Sequence, residues 1–217
     1  MNESGTDSEI ILHTENHGEL NTLHMQRLEA LLEYALNEYA RLLAFMVGLN
    51  LPLTGVHCGD DTEVITRFIL SVNAQFKAYM RRRKKAGKRV YPCRLLYAWA
   101  REFGGENGNK HYHVLMLVNR EVFRRTMLDF GSQWEVKGLL TKIIFRAWLR
   151  ALRYRGIRRV PVRLPTTAYE LNRHSFDQNY YKTALGHFSY LAKEYTKLSG
   201  DGHRNFGCSH IPSKAAR

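Results

Sequence analysis

The chain has 217 residues, with 33 Lys and Arg against 20 Asp and Glu, a formal net charge of +13. That excess of positive charge favours a polyanionic partner such as nucleic acid, although a ribosome-like or membrane-surface protein would share it, and the length suits one domain with a proper core plus a helical appendage. Cys58, Cys93 and Cys208 are odd in number, widely spaced and form no C-x-x-C pair, so they read as reduced thiols rather than a disulfide framework or a zinc site.

Residues 1–22 are polar, acidic and without an apolar run, which predicts a loose leader and neither a signal peptide nor a membrane span. A soluble, cytoplasmic protein is expected. From Leu23 to about Tyr39, Leu28, Leu31, Leu32, Ala35 and Leu36 recur at helical intervals. The apolar run from Leu42 to Leu51, stopped by Pro52, reads as a first strand. Asp61 or Thr62 is placed to cap a long helix reaching about Ala86, with Ile65, Phe68, Ile69, Val72, Phe76 and Tyr79 inward and Gly87 as its end. Its last turns hold Arg81, Arg82, Arg83, Lys84, Lys85, Lys88 and Arg89, either a solvated helix end that complements the dipole or a phosphate-binding patch.

Pro92 to Glu102 predicts another strand, the Gly104–Asn109 stretch a turn, and His111 to Val118 a strand that pairs back on its predecessor. Alternation puts His111, His113, Leu115 and Leu117 on one face and Tyr112, Val114, Met116 and Val118 on the other. A strand apolar on both faces belongs in the middle of a sheet. Ten histidines make one H-x-H an ordinary coincidence, so the setting carries the argument: two imidazoles on a buried strand need partners. The hairpin brings Glu102 beside them, giving the ligand set of a divalent ion, with Glu106 as a rival carboxylate and two satisfied core histidines as the alternative.

A short helix and loop follow at 120–130, then a helix from about Val136 to Tyr154 with Leu139, Leu140, Ile143, Ile144, Ala147, Trp148 and Leu152 as its apolar stripe. Arg146, Arg150, Arg153, Arg155, Arg158, Arg159 and Arg163 form a second basic patch. Val160–Leu164 and Tyr169–Leu171 read as short strands near a sheet edge. A third long helix is predicted from about Ser175 to Leu198, with Tyr190 and Lys193 on one of its faces. Of the twelve tyrosines only Tyr190 has a lysine three residues on, although a buried anchoring tyrosine has the same appearance. Gly200 to Cys208 reads as loop, and 211–217 as a mobile tail. The whole predicts an α+β domain over 23–210: a central antiparallel sheet of about five strands flanked by helices, preceded by an N-terminal helix.

In order and combination, Arg94-Leu-Leu-Tyr-Ala-Trp-Ala-Arg-Glu102, His111-Tyr-His-Val114, Ser189-Tyr-Leu-Ala-Lys193 and Arg204-Asn-Phe-Gly-Cys208 resemble the HUH endonuclease superfamily. More narrowly, they look like rolling-circle replication initiators of the inovirus and prophage-satellite type with a single catalytic tyrosine. The similarity covers about residues 40–210. It implies that His111 and His113 bind Mg²⁺ or Mn²⁺ with Glu102 as third ligand, that Tyr190 is the nucleophile, and that Lys193 handles protons or holds phosphate. It implies a sequence-specific single-strand nickase and strand transferase that forms a 5′-phosphotyrosine at a single-stranded or hairpin origin. The two basic patches, here Arg81, Arg82, Arg83, Lys84, Lys85, Lys88, Arg89, Arg153, Arg155, Arg158 and Arg159, would hold the DNA. Gly48 departs from the pattern, in which an acidic residue is usual, and Tyr180, Tyr181 and Tyr195 are rival nucleophiles. The chain contains no G-x-x-x-x-G-K-S/T sequence, so a host helicase and polymerase would be needed. A non-catalytic DNA-binding regulator and an HUH transposase or relaxase are the alternative readings.

Overall fold

A computed structural model of the protein describes residues 18–52, 63–104, 110–128, 138–153, 162–194, 197 and 200–212. Helix α1 spans Thr22–Glu38, with the Asn21 side chain accepting from the His24 backbone N–H at 3.0 Å as its N-cap. Strand β1 is Arg41–Asn50 and helix α2 Val64–Lys85. The N-cap of α2 is Glu63, which makes no capping bond, and the proposed caps Asp61 and Thr62 lie outside the described residues. Gly87, at φ +68°, turns the chain away after the helix.

The hairpin is present: β2 (Leu96–Phe103) and β3 (Lys110–Asn119) pair antiparallel, with Glu102 directly opposite His111. A 3₁₀ turn at Arg125–Met127 precedes helix α3 (Leu139–Leu152), whose C-terminus closes on Arg153 in the left-handed region. Strands β4 (Val162–Arg163) and β5 (Ala168–Asn172) both pair with β1, at its two ends, so they share one sheet edge as expected.

Two expectations need correction. The last long helix stops early: α4 is Gln178–Phe188 and passes into a 3₁₀ turn at Ser189–Ala192. The Ser189 hydroxyl donates to the Gly186 carbonyl at 2.7 Å, and the strand-like backbone of Lys193 bridges to Leu20, so tertiary pairing outcompetes further helix. The segment expected as loop contains strand β6, Phe206–Cys208, which extends the sheet beside β2.

The order β4-β1-β3-β2-β6, with β5 also on β1, makes a six-stranded antiparallel sheet. Because β3 is apolar on both faces, helices cover both. Tyr112, Val114, Met116 and Val118 join Phe68, Phe76 and Trp148 in a core beneath α2 and α3. Leu115 and Leu117 join Leu28, Leu31, Phe188 and Leu191 beneath α1 and α4. The fold is therefore α+β, with an N-terminal helix. Among the described residues no helix is long and apolar enough to cross a membrane.

Candidate metal and nucleophile site

The histidines occupy the α1/α4 face of β3, at the strand's N-terminal end. On that face Ala100 lies opposite His113 on β2 and Gly48 opposite it on β1, which leaves room for the rings. The imidazoles stand edge to face with centroids 5.0 Å apart. Glu102 is buried at 1% exposure, and its Oε2 lies 3.6 Å from Nε2 of both histidines. One ligand atom from each of Glu102, His111 and His113 falls within 4.8 Å of the other two.

The 3₁₀ turn delivers the remaining members. Three residues per turn eclipse positions i and i+3, so Tyr190 and Lys193 meet more closely there than on an α-helix. The Lys193 ammonium sits 3.6 Å from the Tyr190 ring centroid and 3.2 Å from Glu102 Oε2. The Tyr190 hydroxyl donates to the same oxygen at 3.4 Å, and its ring packs against His113 with centroids 4.8 Å apart. The turn itself is held by residues 19–21: Asn21 N–H donates to the Ala192 carbonyl at 2.8 Å and Glu194 N–H to the Glu19 carbonyl at 3.0 Å. Of the proposed leader, residues 18–21 are described, and part of it is thus a strap across the tyrosine turn.

Electrostatics follow from the crowding. Burial raises the Glu102 carboxyl, but the His111 hydrogen bond and the charges of His113 and Lys193 together hold it at about 2. Burial lowers His113 to about 4 against the pull of Glu102, with His111, Lys193 and Arg163 lowering it further. His113 is therefore neutral at pH 7, the form that ligates metals. Glu102 Oε1 is buried and has no hydrogen-bond partner among the described residues, an orphaned acceptor that costs about 1–3 kcal/mol unless something satisfies it. A buried carboxylate with a spare oxygen and two imidazoles fits a divalent cation of the Mg²⁺ or Mn²⁺ kind.

Two of the rival residues, Tyr180 and Tyr181, lie away from this point. Tyr180 is exposed on α4 and accepts from the Glu170 backbone N–H. Tyr181 is half-buried against α1, and burial with Glu33 and Glu29 pushes its hydroxyl up to about 12. Tyr195 and Glu106 lie outside the described residues, as do Arg155, Arg158 and Arg159. Trp99 packs on the opposite face, edge to face with Tyr112 and against the core beneath α2 and α3.

The basic helix end does not adjoin the site. Tyr79 stacks on Phe123, and Asn119 donates to the Pro92 carbonyl, so Arg81–Arg89 lie by the C-terminal end of β3. His111 and Asn119 are about 27 Å apart at about 3.4 Å per strand residue. Arg153 belongs to the near end, because α3 runs antiparallel to α2, with Arg67 bonded to Ala151 and Trp148 to the Asn50 carbonyl.

Comparison with known proteins places this arrangement in a family. Residues 3–209 match the model described as the YagK/YfjJ C-terminal domain. The chain belongs to that family. YagK of Escherichia coli K12, described as uncharacterized, is 33% identical over 201 residues, covering 87% of this chain and 92% of its own. YfjJ of the same strain, likewise described, is 28% identical over 207 residues, covering 87% and 94%. No solved structure matches the chain.

Sequence reading of this YagK/YfjJ-type domain missed Lys197. Its ammonium donates to the Lys193 carbonyl, and burial, with Lys193, lowers it to about 8 although Glu102 raises it. The spacing K-x-x-x-K was the available signal. The reading also grouped Arg163 with a patch, without seeing that β4 delivers it beside Gly48.

Proposed function

We propose that this protein is a metal-dependent single-strand DNA endonuclease and strand transferase of the HUH type, initiating rolling-circle replication of a phage, satellite or prophage from the cytoplasm. The observation that carries the reading is the convergence of Tyr190 on Glu102, His111 and His113, residues from three separate parts of the chain. Structural packing alone explains a buried tyrosine or a buried histidine pair. It gives no reason for a tyrosine, a lysine, a carboxylate and two imidazoles to share one pocket with an acceptor left over.

Glu102, His111 and His113 would hold Mg²⁺ or Mn²⁺, whose Lewis acidity offsets charge on a phosphodiester under attack. The chain's own groups do the rest. Tyr190 Oη, fixed by its hydrogen bond to Glu102 and by His113 against its ring, forms the new bond to phosphorus while the bond to the 3′ oxygen breaks. The electron pair leaves on that oxygen, which takes a proton from solvent to give a free 3′-hydroxyl. Glu102, held at about 2, accepts the hydrogen bond that orients the hydroxyl and is too weak a base to take its proton, which leaves to solvent as the phenolate charge develops. Lys193, over the ring, offsets the phenolate charge that develops. The product is a 5′-phosphotyrosine that a 3′-hydroxyl can reverse.

The test is denaturing electrophoresis with labelled single-stranded oligonucleotides from the element's origin region and Mn²⁺. A protein-linked DNA band that disappears in Tyr190→Phe and in His111→Ala is expected. An adduct that survives Tyr190→Phe refutes the nucleophile, and DNA binding without any adduct leaves the non-catalytic regulator as the function.

A further inference from the structure

The sheet register sets four residues in line across four strands: Ala100 on β2, His113 on β3, Gly48 on β1 and Arg163 on β4. Directly paired residues of an antiparallel sheet project to the same face, so Arg163 rises on the histidine face with only Gly48 between them. A β-carbon at residue 48 would lie 3.1 Å from the Arg163 Cβ, tighter than ordinary contact, with its Cγ and Cδ in ordinary contact at 4.0 and 3.9 Å, so the glycine lets the arginine stem lie close over β1. The charge of Arg163 reaches His113. Arg163 is exposed and makes no ion pair with a carboxylate among the described residues.

A guanidinium cannot ligate a cation and repels one. Beside a Glu-His-His cluster it is favourable when an anion bridges the two positive groups. The planar fork offers two parallel N–H groups to two oxygens of a tetrahedral anion, a match a lysine would not make. Resting on the reading of the site as a phosphodiester nuclease, we propose that Arg163 is its phosphate-holding residue: it grips non-bridging oxygens of the phosphate presented to Tyr190, and Gly48 is small so that it can. The departure at Gly48 then acquires a reason. With the acidic side chain absent, the space goes to a basic arm from the next strand, which makes this end of the sheet an anion seat instead of a four-ligand metal cage.

The probe is inorganic phosphate, followed by ³¹P line broadening on Mn²⁺-loaded protein and by direct titration without metal, with Mn²⁺ affinity measured separately by the loss of free-ion EPR signal. Arg163→Ala is expected to weaken phosphate binding tenfold or more while leaving Mn²⁺ affinity within about twofold, which also reports an intact site. Arg163→Lys should fall between the two, and Lys142→Ala, on the exposed side of α3, should match the wild type. Wild-type affinity in Arg163→Ala, an equal loss in Lys142→Ala, or no phosphate binding by the wild type each overturns the assignment. Arg163-dependent phosphate binding in a protein that never forms a Tyr190 adduct would sustain the anion seat and sink the nickase.

Discussion

Glu102 is the residue on which the site turns. One carboxylate oxygen meets His111, His113, Tyr190 and Lys193, and the other meets none of the described residues. In Glu102→Gln the ammonium of Lys193, itself 8% exposed, keeps its burial and loses its counter-charge. Leaving one partner of a buried pair costs about 3 kcal/mol, so urea unfolding of the metal-free variant should show a loss of that size together with abolished Mn²⁺ binding. A variant as stable as the wild type would mean that Lys193 turns out to solvent and that the cluster is looser than described. His24 argues in the same way at another joint. Burial, with Lys197 and Arg27, lowers it to about 4 although Glu194 raises it, and its ring stacks on Phe206 at 4.2 Å. The unfolded chain takes up that proton near 6.5 and the folded chain does not, so His24 subtracts stability progressively as pH falls from 6.5 to 4. His24→Phe keeps the stack and should flatten denaturation midpoints over that window; an unchanged slope would place the proton elsewhere.

Among the elements, β6 shows how a three-residue strand holds its place. Its middle residue is Gly207, and a β-carbon there would come within 2.6 Å of the Trp99 indole. The indole therefore lies flat across the glycine, and Gly207→Ala must displace either the ring or the strand. A loss of about 2 kcal/mol is expected in urea, shrinking to under about 0.5 kcal/mol in a Trp99→Leu background where the obstacle is gone. An undiminished cost in the double variant would locate the strain in the backbone instead. The same strand marks a limit of sequence reading. Three residues are too few to reveal alternation, and what fixes them is docking on β2 and Trp99, which only the folded sheet supplies. The hairpin was legible for the opposite reason: long apolar alternation and a glycine-rich turn set its register locally, and register alone put Glu102 opposite His111. The early end of α4 was not, because residues 178–198 look helical until Leu20 pairs with Lys193 from the far end of the chain. That error left the site intact, since a 3₁₀ turn brings i and i+3 together even better than the helix it replaced.

At the scale of the whole molecule, positive charge is divided rather than pooled. Arg163 and Arg153 stand at the end of the sheet that carries the histidines, whereas Arg81, Arg82, Lys84 and Lys85 project from the opposite end, on the face of the sheet away from Arg163. A bound strand has to run about 27 Å to touch both, the length of about eight base pairs of duplex. Short and long DNA should consequently respond differently to the same change. Replacing Arg81, Arg82, Lys84 and Lys85 together by Gln removes four phosphate contacts from long substrates only. For single strands that lowers the salt dependence of binding, plotted as log K against log salt, by about 3, with no effect on an oligonucleotide that just covers the scissile phosphate. Binding isotherms at several salt concentrations on a short and a long oligonucleotide measure this directly. If both lengths weaken alike, the far patch acts as a general attractor and sets no path. If neither weakens, the helix end is a solvated terminus whose charges serve the α2 dipole, and the DNA is held entirely at the histidine end.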